Sequence, residues 1–184
     1  MPGVVQDDQW ETAGVIRTLH LPVTLSAKTL QFTLRRAIED DLGALMRLLA
    51  DDSISASRGD RADGADTASY FSALTAIVAD PSNDILVVVN DADEPLATMQ
   101  LTRIPGMARR GSTRLLIEAV RVRSDLRAAG IGSAMMRWVT GTAAPALEAS
   151  LVQLTSDEAR QDAHRFYERL GFVGSHRGFK YTIE

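Results

Sequence analysis

At Asp80-Pro81 the spacing of apolar residues changes from helical to two, and this switch limits the folds open to the chain more than any other feature. Before it, Ile38, Leu42, Leu45, Met46 and Leu49 recur at helical spacing, as do Tyr70, Phe71, Leu74, Ile77 and Val78. The proline ends the second of these helices, because the residue before a proline is driven out of the α region. After it, residues 85–90, 96–102 and 113–123 read as strands separated by a turn at 91–95 and by a connection rich in Arg and Gly. Three successive strands on short links predict an antiparallel meander.

The flanking segments complete an α+β pattern. Residues 30–36 alternate like a strand, and Glu39, Asp40 and Asp41 then stand where the first turn of a helix favours acids. Residues 51–66, with five aspartates, three serines and two glycines, read as a surface loop. Beyond residue 123 come a Gly-containing turn, a helix over 131–144 and a short apolar strand over 151–155. A strand, a crossover helix and a strand predict a parallel pair. Ser156 is the expected N-cap of a last helix with Asp157 and Glu158 in its first turn, a stripe of Ala159, Ala163, Phe166 and Leu170, and Gly171 as its left-handed cap. Residues 172–183 read as two short strands around Gly178. The whole is a mixed, mostly antiparallel sheet with helices on its faces, a domain over 30–184. Residues 1–29 form an extension in which Leu19, Leu21, Val23 and Leu25 fit either an edge strand, limited by Pro22, or a loosely ordered leader.

Composition narrows the function. With 184 residues, 45% of them hydrophobic, the chain can bury a core without staples. It has no cysteine, which excludes thiolate catalysis and Cys-type metal sites, and its three histidines are too dispersed to suggest a metal cluster. The net charge of -4 argues against a general nucleic-acid binder. The longest apolar run, residues 85–89, is far too short to span a membrane, and Asp7, Asp8 and Glu11 stand where a secretory signal would be basic. A cytoplasmic location is expected. Positive charge is uneven, with eight arginines and only two acids, Glu118 and Asp125, between Arg103 and Arg137. Such a concentration suits a small anionic ligand.

The stretch Val122-Arg123-Ser124-Asp125-Leu126-Arg127-Ala128-Ala129-Gly130-Ile131-Gly132-Ser133 lies between a strand and a helix. A turn of this kind points backbone N–H groups into one concavity, where the helix dipole adds partial positive charge and the glycines let an anion approach the backbone. Two glycines at a ligand-free turn are the plainer reading. A dinucleotide fingerprint needs a third glycine where this chain has Met135, and a nucleotide P-loop needs Gly-Lys-Ser or Gly-Lys-Thr, whereas the only lysines are Lys28 and Lys180.

The run Arg127-Ala128-Ala129-Gly130-Ile131-Gly132 resembles the signature of the GNAT superfamily of acyl-CoA-dependent N-acetyltransferases. Downstream, His164-Arg165-Phe166-Tyr167-Glu168-Arg169-Leu170-Gly171-Phe172 resembles that family's second segment, with its Phe-Tyr, two residues, Leu-Gly-Phe core. The element order over residues 30–183 is similar to the family's as well. The resemblance implies acetyl-CoA as donor and no metal. It implies that the backbone of Val120 and Val122 meets the pantetheine arm, and that amides of Arg127, Ala128, Ala129, Gly130, Ile131, Gly132 and Ser133 bind the pyrophosphate. It also makes a homodimer plausible.

Acetyl transfer to nitrogen sets two proton problems. An amine with a pKa of about 10 is neutral in about one molecule per thousand at pH 7, a cost of about 4 kcal/mol unless a base or desolvation helps. Glu118 is the one acid in the strand leading to the cradle, and simple alternation places it on the face of Val120 and Val122. It reads either as a base, direct or through water, or as a solvated or Arg-paired side chain, with Arg103, Arg114 and Arg121 as possible neighbours. The departing thiolate needs a donor, and Tyr167 occupies the position where the resemblance places a general acid; the plainer alternative is a core tyrosine beside Leu170. His164 is a surface residue or a relay, and His176 and Lys180 are further candidates at the acceptor mouth. The acidic segment 51–66 and the arginines 103, 109, 110 and 114 suggest a small polar or zwitterionic primary amine as acceptor. The competing readings are a non-catalytic acyl-CoA sensor or interaction module, a protein N-acetyltransferase and a dinucleotide binder.

Overall fold

The computed structural model describes residues 15–28, 30–52, 59 and 62–183. Six strands form one sheet in sequence order: β1 (Val23–Ala27), β2 (Leu30–Arg36), β3 (Asn83–Val89), β4 (Pro95–Ile104), β5 (Arg114–Val122) and β6 (Leu151–Leu154). The first five pair antiparallel, and β6 joins β5 parallel. The α+β reading, the meander and the parallel step are thus all present.

Two helices, α1 (Leu42–Ala50) and α2 (Thr67–Ala79), cover one face. There Ala37, Leu45, Leu74, Val87 and Val89 form a small core. The entry to α1 is pinned by Asp41, which takes the Ile38 N–H at 2.8 Å and both terminal nitrogens of Arg35 at 2.7 and 3.0 Å. Asp41 is buried, so its full set of bonds is what makes a carboxylate tolerable there. The larger core fills the other face, where Leu86, Met99, Leu101, Leu115 and Ile117 meet α3 (Ile131–Trp138) and the wide turn Val139–Ala143 that prolongs it. A last helix, α4 (Gln161–Arg169), follows β6.

The N-terminal alternation resolves as an edge strand beginning just after Pro22. Ile16, Leu19, Leu25 and Ala27 are buried in the main core, so the packed domain reaches upstream of Leu30. Two expectations are corrected. The last helix begins at Gln161, not after Ser156, because the Asp157 side chain takes the Ala159 N–H at 2.9 Å and closes a local turn first. Residues 172–183 carry no strand: Val173, Phe179, Tyr181 and Ile183 are exposed, and among the described residues no strand pairs with the segment. Alternation is a potential for pairing, and it becomes a strand only where a neighbour supplies the ladder. Among the described residues, no helix is long and apolar enough to cross a membrane, and no group of three or more His, Cys, Asp or Glu could hold a metal ion.

Candidate active site

The site begins where the parallel pair separates. β5 and β6 are in register from Arg114↔Leu151 to Ile117↔Leu154, after which β6 ends while β5 runs on to Val122. Among the described residues, 118–122 therefore have no strand on their β6 side; within this stretch the Val120 carbonyl accepts from Arg121 Nη1 at 2.8 Å and the Val122 carbonyl from Arg127 Nε at 3.5 Å, so side chains rather than a neighbouring strand engage these groups.

The same stretch carries a bulge. Thr98 pairs with Arg121 but Gln100 pairs with Glu118, so Ala119 and Val120 together stand opposite Met99. Ala119 takes a left-handed conformation, φ 50°, uncommon for a residue with a side chain. The extra residue flips the alternation. Leu115 and Ile117 before the bulge, and Val120 and Val122 after it, all pack against the main core. The expected placement of Glu118 on the face of Val120 and Val122 is thus incorrect. As the direct partner of Gln100 it shares that residue's face, toward α1 and α2. Its side chain is exposed.

The turn expected as a cradle leads directly into a helix, with the Arg127 and Ala129 amides donating to the Ser124 and Leu126 carbonyls at 3.3 and 3.1 Å. After a turn at Ser124–Leu126, Ala128 and Gly130 adopt left-handed conformations, φ 69° and 96°, and α3 starts at Ile131. Its first capping bond runs from the Ala134 N–H to the Gly130 carbonyl, leaving the amides of Ile131, Gly132 and Ser133 without an intrahelical acceptor. Lys28 Nζ donates to the Ala128 carbonyl at 2.7 Å, tying the turn to the end of β1. Arg127 folds back, donating to the Asp51 carbonyl, and Asp51 Oδ2 takes the Ser124 N–H at 2.7 Å. The next residue, Asp52, forms an ion pair with Arg160, just before α4. The end of α1 therefore binds both banks of the opening. These acids serve the chain's own arginine and amide groups, which no spacing rule in the sequence would have shown.

α4 closes the wedge on the main-core side. The ring of Phe166 lies over Gly132, and Tyr167 packs edge-on between Phe166 and Phe172, with centroids 5.1 and 5.7 Å away. Burial pushes the Tyr167 phenol above its ordinary pKa, a rise partly offset by the positive fields of Arg121 and Arg160. It remains a protonated donor throughout the neutral range. His164 Nε2 bonds the Asp157 carbonyl at 2.8 Å, a local tie within the approach to α4. His176 lies on the exposed tail with its Nδ1 on Ser175 Oγ, and Lys180 is also exposed there.

On the other face a cavity of about 180 Å³ opens between α1, α2 and the sheet, and Thr98, Gln100 and Ala119 contribute to its wall. Three sets of candidate residues thus converge on one region: the cradle, the open edge of β5 with Glu118, and α4 with Tyr167. Ala119, whose bulge joins this edge to the cavity, carries no signal in the sequence.

Residues 44–172 match the model of the acetyltransferase (GNAT) family. The chain belongs to that family. The match runs from within α1 to the end of the Leu-Gly-Phe segment, so it includes both motifs. Among solved structures, this GNAT domain is similar to a transcriptional regulator from Bacillus halodurans C-125, with 38% identity, TM-score 0.77 and coverage of 83% of this chain and 99% of the other. It is also similar to a candidate acetyltransferase from Agrobacterium tumefaciens str. C58, with 27% identity, TM-score 0.68, and coverage of 82% and 99%. Glucosamine-6-phosphate N-acetyltransferase from Arabidopsis thaliana, at 17% identity and TM-score 0.62 over 83% and 99% of the two chains, shares the fold. No curated protein matches the sequence significantly.

Proposed function

We propose that this GNAT domain transfers an acetyl group from acetyl-CoA to the primary amine of a small molecule, by direct attack within a ternary complex. The observation that carries this reading is the coincidence of the strand separation after Ile117/Leu154 with the amide-rich start of α3. One gives an extended ligand a length of β5 with no neighbouring strand among the described residues, and the other gives a diphosphate the Ile131, Gly132 and Ser133 N–H groups at a helix N-terminus. Val120 and Val122 would line the arm of the donor, and of the amides from Arg127 to Ser133 those of Ala128, Gly130, Ile131, Gly132 and Ser133 would hold its phosphates, since the Arg127 and Ala129 amides donate to the Ser124 and Leu126 carbonyls. The absence of cysteine supports direct attack, since no thiol is present to carry the acyl group.

The donor thioester supplies an activated acyl carbon, to which the amine nitrogen bonds as the carbon–sulfur bond breaks and the sulfur leaves as a thiol. Two protons then need handling by the chain. Glu118, on the α1/α2 side of the sheet, would take the ammonium proton directly or through one water. Tyr167, on the main-core side and kept protonated by burial, would donate to the sulfur. Glu118 and Tyr167 lie toward opposite faces of β5, so in this reading the amine would reach the thioester from the α1/α2 side and the sulfur would leave toward the main-core side.

The test is thiol release from acetyl-CoA across a panel of amines, with product mass confirming one acetyl group on nitrogen. Release that depends on an amine supports the reading; none from any amine overturns it. A second reading draws on the Bacillus halodurans neighbour, described as a transcriptional regulator: the domain binds acyl-CoA as a sensor without turnover. That reading requires acetyl-CoA to raise the melting temperature while no amine, free or on a protein N-terminus, releases thiol.

A further inference from the structure

We infer that the acceptor carries an apolar substituent the size of a phenyl ring, in place of the polar or zwitterionic group its loops suggested. The inference rests on the acetyl-transfer reading above and concerns the cavity between the first two helices and the sheet.

That cavity is walled by Leu45 and Leu49 from α1, Leu74 and Ile77 from α2, and Ile85 from β3. No charged side chain lines it. Its polar wall residues are few, Thr98, Gln100 and Tyr70: Thr98 Oγ1 donates to the Leu86 carbonyl at 3.0 Å, and Gln100 Nε2 donates to Asn83 Oδ1 at 3.2 Å. A carboxylate or hydroxyl entering here would exchange water for aliphatic carbon with little to bond, whereas an apolar group would gain from leaving water. The volume of about 180 Å³ is close to that of apolar cavities, about 150 Å³, that take up benzene.

Position links the cavity to the chemistry. Ala119, at the bulge, forms part of its wall, and the preceding residue is Glu118, whose cross-strand partner Gln100 lines the same cavity. An amine whose apolar end fills this space would hold its nitrogen about one short linker away, beside Glu118 and the open edge of β5. Two of the five acids first expected to attract a cation are otherwise engaged: Asp51 binds the Ser124 amide and Asp52 binds Arg160.

The experiment compares 2-phenylethylamine with ethanolamine, which share an aminoethyl group. Thiol release should show kcat/KM for the phenyl compound at least tenfold higher, since one methylene in an apolar pocket already distinguishes substrates by 10-fold or more. Ala73 lies at the cavity rim on the exposed side of α2, so Ala73→Phe intrudes on the space without disturbing the core; Ala73→Leu is the milder alternative if the first variant folds poorly. Either should cut the phenyl-to-hydroxyl selectivity ratio at least fivefold. Calorimetry with the unacylated carrier present gives a readout without turnover: 2-phenylethylamine should bind, ethanolamine should bind at least tenfold more weakly, and Ala73→Phe should narrow the gap. Equal kinetics and equal binding for the two amines, or a preference for ethanolamine, overturn the inference while leaving acetyl transfer standing. Selective binding of the phenyl compound with no thiol released from any amine keeps the pocket's chemistry and removes the transferase reading.

Discussion

Gly132 and Phe166 approach so closely that a Cβ on residue 132 would lie 3.3 Å from Cζ of the ring, with Val122 a further neighbour at 3.7 Å. The first turn of the cradle helix is therefore the surface on which α4, the bearer of Tyr167, is seated. Glycine here is required by a close approach between elements, since its backbone is ordinary helix.

Replacing Gly132 by Ala sets two effects against each other. Alanine is better in a helix by about 1 kcal/mol, while the ring must retreat by a few tenths of an ångström. The net stability change should stay within about 1 kcal/mol, but the retreat is passed to Tyr167 in the next position of α4. Turnover should fall several-fold while the melting temperature moves little; a variant with full kcat would show that the seating of α4 does not matter to the reaction.

Gly130 is needed for a different reason. Its φ of 96° lies in the left-handed region, and a Cβ there would meet only ordinary contacts, 3.5 Å from Ala27 and 3.7 Å from Lys28. Gly130→Ala should thus be strained by its backbone alone, costing about 1–2 kcal/mol in denaturant unfolding. Because the strain is relieved by turning the amides that follow, acetyl-CoA should bind at least tenfold more weakly by calorimetry. Weaker folding with unaltered binding would move the phosphate site away from this turn.

Tyr167→Phe keeps the ring and removes the donor. With the edge-on packing against Phe166 and Phe172 retained, affinity for acetyl-CoA should hold while kcat falls about 100-fold, the scale for loss of one donor to developing charge. Stability provides an independent check. The phenol's pKa is raised in the fold by burial, so its contribution is fully present below the unfolded value of about 10 and is lost as pH rises through the higher folded one. The wild-type protein should lose stability above pH 10 more steeply than the Phe variant. Parallel alkaline unfolding curves would mean that the hydroxyl already meets water.

Much of this arrangement could be read from residue patterns, and what could not has definite causes. The meander, the parallel step and the cradle depend on periodicity and on Gly130 and Gly132, all local properties. The second motif located α4, although the Asp157 turn delays its first residue to Gln161. The face of Glu118 was misjudged because period-two reasoning presumes an unbroken ladder, and Ala119 adopts a conformation its identity does not announce. The ties from Asp51 to Ser124 and from Asp52 to Arg160 join residues far apart in the chain, so no window could reveal them. Loop composition likewise says nothing of the space beside Glu118, which is walled by helices whose apolar stripes read in the sequence only as packing.

The placement of Glu118 on the α1/α2 face makes its role accessible to a pH-rate profile. Glutamine at 118 keeps the shape of the side chain but cannot accept a proton, so only amine that arrives neutral can react. At pH 7 kcat/KM should fall by about 10² to 10⁴, the usual worth of a general base. From there the rate for Glu118→Gln should climb tenfold per pH unit toward the amine's own pKa of about 10, because each unit raises the neutral fraction tenfold. The wild-type enzyme should level off earlier, where its carboxylate has taken over that deprotonation. At high pH the two curves should therefore converge, and acetyl-CoA affinity measured by calorimetry should be the same in both proteins. Curves that stay parallel across the whole range would remove Glu118 from proton transfer and leave it as a solvated partner of Gln100.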